Sequence, residues 1–111
     1  MARQYELTKS TVDSLLLHLI GQRPMYGYQI IKELENRSQG YFKLKEGTLY
    51  PALHRLERAK LITGKWQILL GSRQRRYYHI TVKGHATLAE HRNRWQDFLV
   101  ALRLIIQPTT T

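Results

Sequence analysis

A proline set inside a helical stripe constrains this chain more than any other feature. Between Lys43 and Leu61, the residues Leu49, Ala52, Leu53 and Leu56 recur at i, i+3, i+4 and i+7, the spacing that lines one face of a helix. Pro51 falls within that run. Its missing N–H is harmless only in the first four helical positions, where no intrahelical acceptor waits for it. The helix is therefore expected to begin near Gly47 or Thr48, with Thr48 a good capping residue, and to run over about 47–59. The arc opposite the apolar stripe carries Thr48, Tyr50, Pro51, His54, Arg55 and Arg58. Lys43 and Lys45 stand just ahead of it, beside a helix N-terminus that favours anions. A helix of this kind either enters a DNA groove with its outer arc or simply presents its charges to water.

Charge bears on that choice. The 111 residues hold 18 Lys and Arg against 8 Asp and Glu, a net charge of +10, which points to a polyanionic partner. Nine of the basic residues and only two acidic ones lie between Lys43 and Arg76, so the charge is concentrated. The absence of cysteine excludes disulfides, zinc knuckles and a thiol nucleophile. His18, His54, His79, His85 and His91 show no metal-ligand spacing; there is no phosphate-binding glycine loop and no carboxylate pair in an apolar setting. The expectation is a non-enzymatic protein with neither metal nor cofactor. No apolar run approaches the length of a bilayer, and the N-terminal residues lack the hydrophobic segment of a secretion signal, so the expected location is the cytoplasm.

The remaining elements follow from period and punctuation. Residues 1–7 are expected to form a flexible arm. A helix is predicted from Thr8 to Ile20, its apolar positions covering so much of its girth that it must be buried on more than one side, with Gly21 as its stop. A second spans Tyr26 to Arg37, where Gly27 is tolerable if another helix passes close by. Tyr41–Leu44 alternates weakly and suggests one short strand. After Leu61 the period changes from 3.6 to 2: Leu61–Leu69 and Arg75–Thr81 are predicted strands around a turn at 70–74, a hairpin whose tip is basic through Arg73, Arg75 and Arg76. Thr81 then caps a helix from Val82 to Ile106, roughly 37 Å long at about 1.5 Å per residue. Leu88, Trp95 and Leu102, interleaved with His91, Phe98 and Ile105, make an a/d seam along it, and a seam that outruns the domain calls for a second copy of the chain. Residues 107–111 are an expected disordered tail. The fold class is mainly α with a small β-hairpin, a winged helix-turn-helix (8–81) followed by a long C-terminal dimerisation helix (82–106).

Three stretches carry a family resemblance. Met25–Leu34 (Met-Tyr-Gly-Tyr-Gln-Ile-Ile-Lys-Glu-Leu), Gly47–Glu57 (Gly-Thr-Leu-Tyr-Pro-Ala-Leu-His-Arg-Leu-Glu) and Arg75–Thr81 (Arg-Arg-Tyr-Tyr-His-Ile-Thr), with Trp95 beyond them, resemble the PadR family of bacterial transcriptional regulators over roughly residues 12–106. The resemblance implies a winged-helix homodimer on promoter DNA, usually a repressor, joined through its C-terminal helix. It assigns Thr48, Tyr50, Pro51 and His54 to the recognition helix, and Arg75 and Tyr77 to the wing, whose basic part spans 69–76. It also implies that Trp95 can border a cavity for a flat aromatic effector. The single C-terminal helix matches the short members of the family, and Leu99 stands where an acidic residue would suit cationic ligands. An RNA-binding or architectural protein without operator preference is the competing expectation, since +10 serves it equally well.

Overall fold

The computed structural model describes residues 7–71 and 73–108. Its elements run α1 (Lys9–Gln22), β1 (Met25–Tyr26), α2 (Gly27–Arg37), α3 (Glu46–Arg58), β2 (Ile62–Ile68), β3 (Gln74–Ile80) and α4 (Val82–Ile106). The three strands form one antiparallel sheet in the order β1-β3-β2. Helices followed by a hairpin make this a winged helix-turn-helix with one long trailing helix.

α1 is the centre of the core. Thr8 caps it, its side chain accepting from the Thr11 N–H at 3.1 Å. Leu16 and Leu17 are both fully buried although they point to different sides, because α2, α3, α4 and β3 all pack around α1. Gly21 does not end the helix, which continues to Gln22. A Cβ at Gly21 would lie 2.5 Å from Leu88 Cδ2, so this glycine is where α4 crosses α1. The stop comes instead from Pro24, which drives the preceding Arg23 into extended backbone (φ −168°, ψ 157°).

Three other expectations need correction. Tyr41–Leu44 is not a strand. The chain turns there through Gln39 and Gly40 at positive φ, the Phe42 N–H donates to Ser38 Oγ at 2.9 Å, and Leu44 plugs the core. The short strand is Met25–Tyr26, which adds to the free edge of β3 in register Met25↔Tyr78. α3 begins earlier than Pro51 suggests: Lys45 is its N-cap, and the Thr48 and Leu49 N–H groups both donate to the Lys45 carbonyl, at 3.0 and 2.9 Å. Pro51 thus lies inside the helix and leaves the Gly47 carbonyl without its usual donor. Gly47 is exposed, so water can meet that carbonyl. Finally, the turn of the hairpin is 69–73, closed by the Leu69 N–H to the Arg73 carbonyl at 2.6 Å, with Ile68 opposite Gln74.

Of the expected flexible arm, residues 1–6 lie outside the described residues, whereas Leu7 packs against the core. Of the expected tail, 109–111 lie outside them, and the Gln107 N–H still donates to the Arg103 carbonyl at 2.9 Å. The long axis of the molecule, 65 Å against 35 and 21 Å, reflects α4 extending past the body.

Candidate nucleic-acid interface

The stripe of Leu49, Ala52, Leu53 and Leu56 fastens α3 to the core and turns its other side outward. Thr48, Tyr50, Pro51, His54 and Arg58 are exposed there, as are Lys43 and Lys45 ahead of the helix. Lys43 Nζ stands 4.0 Å from Glu35, at the edge of an ion pair. Tyr50 leans back over α2: a Cβ at Gly27 would lie 2.6 Å from its hydroxyl, so the glycine makes room for this α3 side chain.

The hairpin has two distinct faces, since cross-strand partners share a side. Toward α3 it turns Ile62, Gly64, Trp66 and Ile68, opposite Ile80, Tyr78, Arg76 and Gln74; away from α3 it turns Thr63, Lys65 and Gln67, opposite His79, Tyr77 and Arg75. The first pairs are core. Farther out the same face loses its cover, and Trp66 and Ile68 are exposed. Arg75 lies over the Tyr26 ring at 4.3 Å from the centroid, and Tyr26 meets Tyr77 edge to face at 5.4 Å. Arg73 is exposed at the tip. A cleft of about 410 Å³ where β1, α2, α3 and the wing meet is lined by Tyr26, Tyr28, Tyr50, Trp66, Arg75 and Arg76.

Two of the expected surface cations are engaged inside the molecule. Arg55 makes a two-pronged contact with Asp13 of α1, Nη2 to Oδ1 at 2.7 Å and Nε to Oδ2 at 3.2 Å. That hydrogen bond raises the Arg55 pKa above its ordinary value against the opposing effect of burial. Arg76 donates through Nη2 to Glu57 Oε2 of α3 at 2.9 Å, and the bond raises its pKa in the same way. Burial, assisted by the Glu57 charge, raises the Tyr78 hydroxyl. Trp66, Glu57, Gly64 and Asp13 were not singled out from sequence. A turn at 69–73 sets Trp66 opposite Arg76 and Gly64 beside that pair, whereas Glu57 and Asp13 come from other elements and are reached only through the fold.

The C-terminal seam divides. Leu88, expected at a dimer interface, is instead buried within its own subunit against Gly21, because the first turns of α4 lie on α1. Trp95 Nε1 donates to the buried Ser14 Oγ at 2.8 Å, and Phe98 meets the indole edge-on at 5.8 Å. His91 is half-buried; its Nδ1 has no hydrogen-bond partner among the described residues, and burial, then the charge of Arg94, lowers its pKa. A hollow of about 830 Å³ lies between α1 and α4, bordered by Ser14, Tyr41, Phe42, His91, Trp95 and Phe98. From the rim of the hollow to the end of α4, Phe98, Leu99, Val100, Leu102, Leu104, Ile105 and Ile106 are all exposed.

Fold and surface together define a winged-helix protein of the DNA-binding class. The family model of the transcriptional regulator PadR-like family matches residues 16–90. The transcriptional regulator Rv3488 of Mycobacterium tuberculosis is 32% identical over 92 residues, covering 83% of this chain and 82% of that protein. A PadR-like transcriptional regulator from Bacillus cereus superposes with a TM-score of 0.79 at 30% identity, over 91% of this chain and 96% of its own. A Streptococcus mutans protein superposes with a TM-score of 0.82 at 26% identity, over 98% of both chains. The chain belongs to the PadR-like family of transcriptional regulators, and its business is DNA-binding regulation. Among the described residues no helix is long and apolar enough to cross a membrane.

Proposed function

We propose that this chain is a homodimeric, sequence-selective repressor acting in the cytoplasm on a pseudo-palindromic promoter site. Thr48, Tyr50, Pro51 and His54 on α3 meet base edges in the major groove, Arg58, Lys43 and Lys45 meet adjoining phosphates, and Arg73 and Arg75 carry the wing onto the neighbouring backbone. The observation that carries this reading is the surface on which exposed Tyr50, His54 and Arg58 of α3 adjoin exposed Trp66 and half-buried Arg75 of the wing. Phe98, Leu102 and Ile105 at i, i+4 and i+7 support a twofold partner along α4, since seven exposed apolar side chains on one half-helix are unlike a finished surface. Occupation of the promoter by the dimer then excludes polymerase. The hollow beside Trp95 is the place for a flat aromatic effector.

The test is selection of duplexes from a random-sequence library, followed by affinity measurements against a salt series. A recovered site with two half-sites about one helical turn apart, or a multiple of it, is expected. Contacts to about 6–10 phosphates per dimer should make affinity fall steeply with salt. Recovery of no preferred sequence, with the steep salt dependence retained, would favour the architectural alternative.

A further inference from the structure

The Arg76 guanidinium occupies an unusual position. It springs from β3, crosses the inner face of the wing and ends on Glu57 of α3, Nη2 to Oε2 at 2.9 Å. On the way it lies beside two rings, 5.7 Å from the centroid of Trp66 and 5.9 Å from that of Tyr78. The space it crosses exists because the neighbouring strand has a glycine there. A Cβ at Gly64 would lie 2.5 Å from Arg76 Cζ and 2.6 Å from Nη2. The hairpin joins α3 at its base, where Ile62, Ile80 and Tyr78 enter the core, whereas Trp66 and Ile68 farther out have no core beneath them. Among the described residues, the Glu57–Arg76 bond is the ion pair that ties the wing to the recognition helix.

We infer that Arg76 is a positioning residue: with Glu57 and Gly64 it sets the angle between wing and recognition helix, and through that angle it sets operator discrimination. Its guanidinium is directed to the Glu57 carboxylate instead of standing free for a phosphate. A two-element reader discriminates only if both elements reach their places on one duplex together. An error in the angle between them penalises the matched site, whose contacts depend on geometry, far more than random DNA, which is held by diffuse charge. Glu57 makes sense in this setting, since an acid beside a DNA-binding surface would otherwise only repel. The inference rests on the sequence-selective reading proposed above.

Three single changes break the same device by different routes. Glu57→Gln removes the acceptor and Arg76→Gln the donor. Gly64→Ala leaves every charge in place but puts a methyl group where the guanidinium lies, and the far end of a flexible side chain moves aside readily. Each full-length variant, checked for an intact thermal transition, is measured against two probes: the best duplex selected by the wild-type protein and a random-sequence duplex pool of equal length. The expected result is a loss of about tenfold in the ratio of the two affinities for each variant, within the range of coupling seen for residues in one network. The Glu57→Gln/Arg76→Gln double variant should be no worse than either single one, and the salt slope on random DNA should stay unchanged throughout.

The inference is overturned if Arg76→Gln weakens both probes equally and lowers the slope by about 0.9, the mark of a lost phosphate contact, while Glu57→Gln and Gly64→Ala keep the ratio. It is also overturned if all three variants keep it. A wild-type protein with no preferred duplex is a separate outcome: it removes the sequence-selective reading, and the positioning role falls with it.

Discussion

Ile105 offers a direct measurement of what the exposed half of α4 is for. Its side chain is 83% exposed in the isolated subunit, so it contributes almost nothing to the subunit's own packing. In a twofold pair joined along α4 it would be covered, once in each copy. Ile105→Ala removes three carbons. At about 0.8 kcal/mol per buried CH₂ group, with most of the side chain going from water to contact, the loss is about 2 kcal/mol per copy and about 4 kcal/mol per dimer. Every 1.4 kcal/mol is a tenfold change, so the dimer dissociation constant should rise by about 10³-fold. Sedimentation across a concentration series reads this directly, and circular dichroism should show the helical content of the dissociated variant intact. Operator affinity should become steeply dependent on protein concentration, because assembly then has to occur on the DNA. Leu88→Ala is the control from the same helix. It empties a buried site and should cost the fold about 2–5 kcal/mol whatever the concentration. A dissociation constant unchanged by Ile105→Ala would refute the placing of the twofold seam on Phe98, Leu102 and Ile105.

Arg55→Gln should destabilise the subunit by about 1–2 kcal/mol, between an exposed pair and a buried charge-assisted bond, since the Arg55 and Asp13 side chains are 34% and 24% exposed. A double-mutant cycle with Asp13→Asn in urea should show the two effects coupled, and an unchanged midpoint alongside a reduced salt slope on DNA would reassign Arg55 to a phosphate. Arg75→Ala should weaken selected and random duplexes alike and lower the salt slope by about one, whereas His54→Ala should change which duplex is selected; identical effects of the two would remove the division between wing and recognition helix. Because burial lowers the folded His91 pKa below its unfolded value near 6.5, the unfolded chain binds the proton more readily. Its contribution to stability is full above pH ~6.5 and is lost as pH falls through the lowered folded value. The wild-type denaturant midpoint should therefore fall on acidification relative to that of His91→Gln, and parallel curves would contradict this.

The elements with many repeats of one period were legible from sequence. α4 was read to both its ends because Thr81, a long apolar register and Pro108 all agree, and α1 was recognised as central because apolar residues encircle it. β1 was missed because two residues cannot display an alternation; only the free edge of β3 makes Met25–Tyr26 a strand. Pro51 misled the start of α3, because an exposed Gly47 carbonyl tolerates the loss of one intrahelical bond. The hairpin is the most instructive miss. A turn at 70–74 rather than 69–73 shifts the register by two, which keeps every side chain on its correct face but gives it the wrong neighbour. Trp66 then faces Tyr78, and the Glu57–Arg76 connection stays hidden. Arg55 and Arg76 counted toward the basic surface for the same reason: charge is visible in a sequence, whereas the carboxylate that occupies it comes from another element.

In the strand order β1-β3-β2, β2 is an edge, and among the described residues no strand lies on the outer side of its backbone ladder. Its flank carries Trp66 and Ile68, and exposed Leu70 follows, a composition that invites self-association of the kind seen in aggregation-prone sheets. Lys65 in the middle of the strand and the net charge of +10 oppose it, since two copies cannot bring such edges together without crowding like charges. The positive charge that suits a polyanion is therefore also what keeps unbound copies apart. Screening by salt, or charge-neutralising substitution in the wing, removes both at once, and the DNA-free protein should become colloidally least stable under the very conditions that release it from DNA.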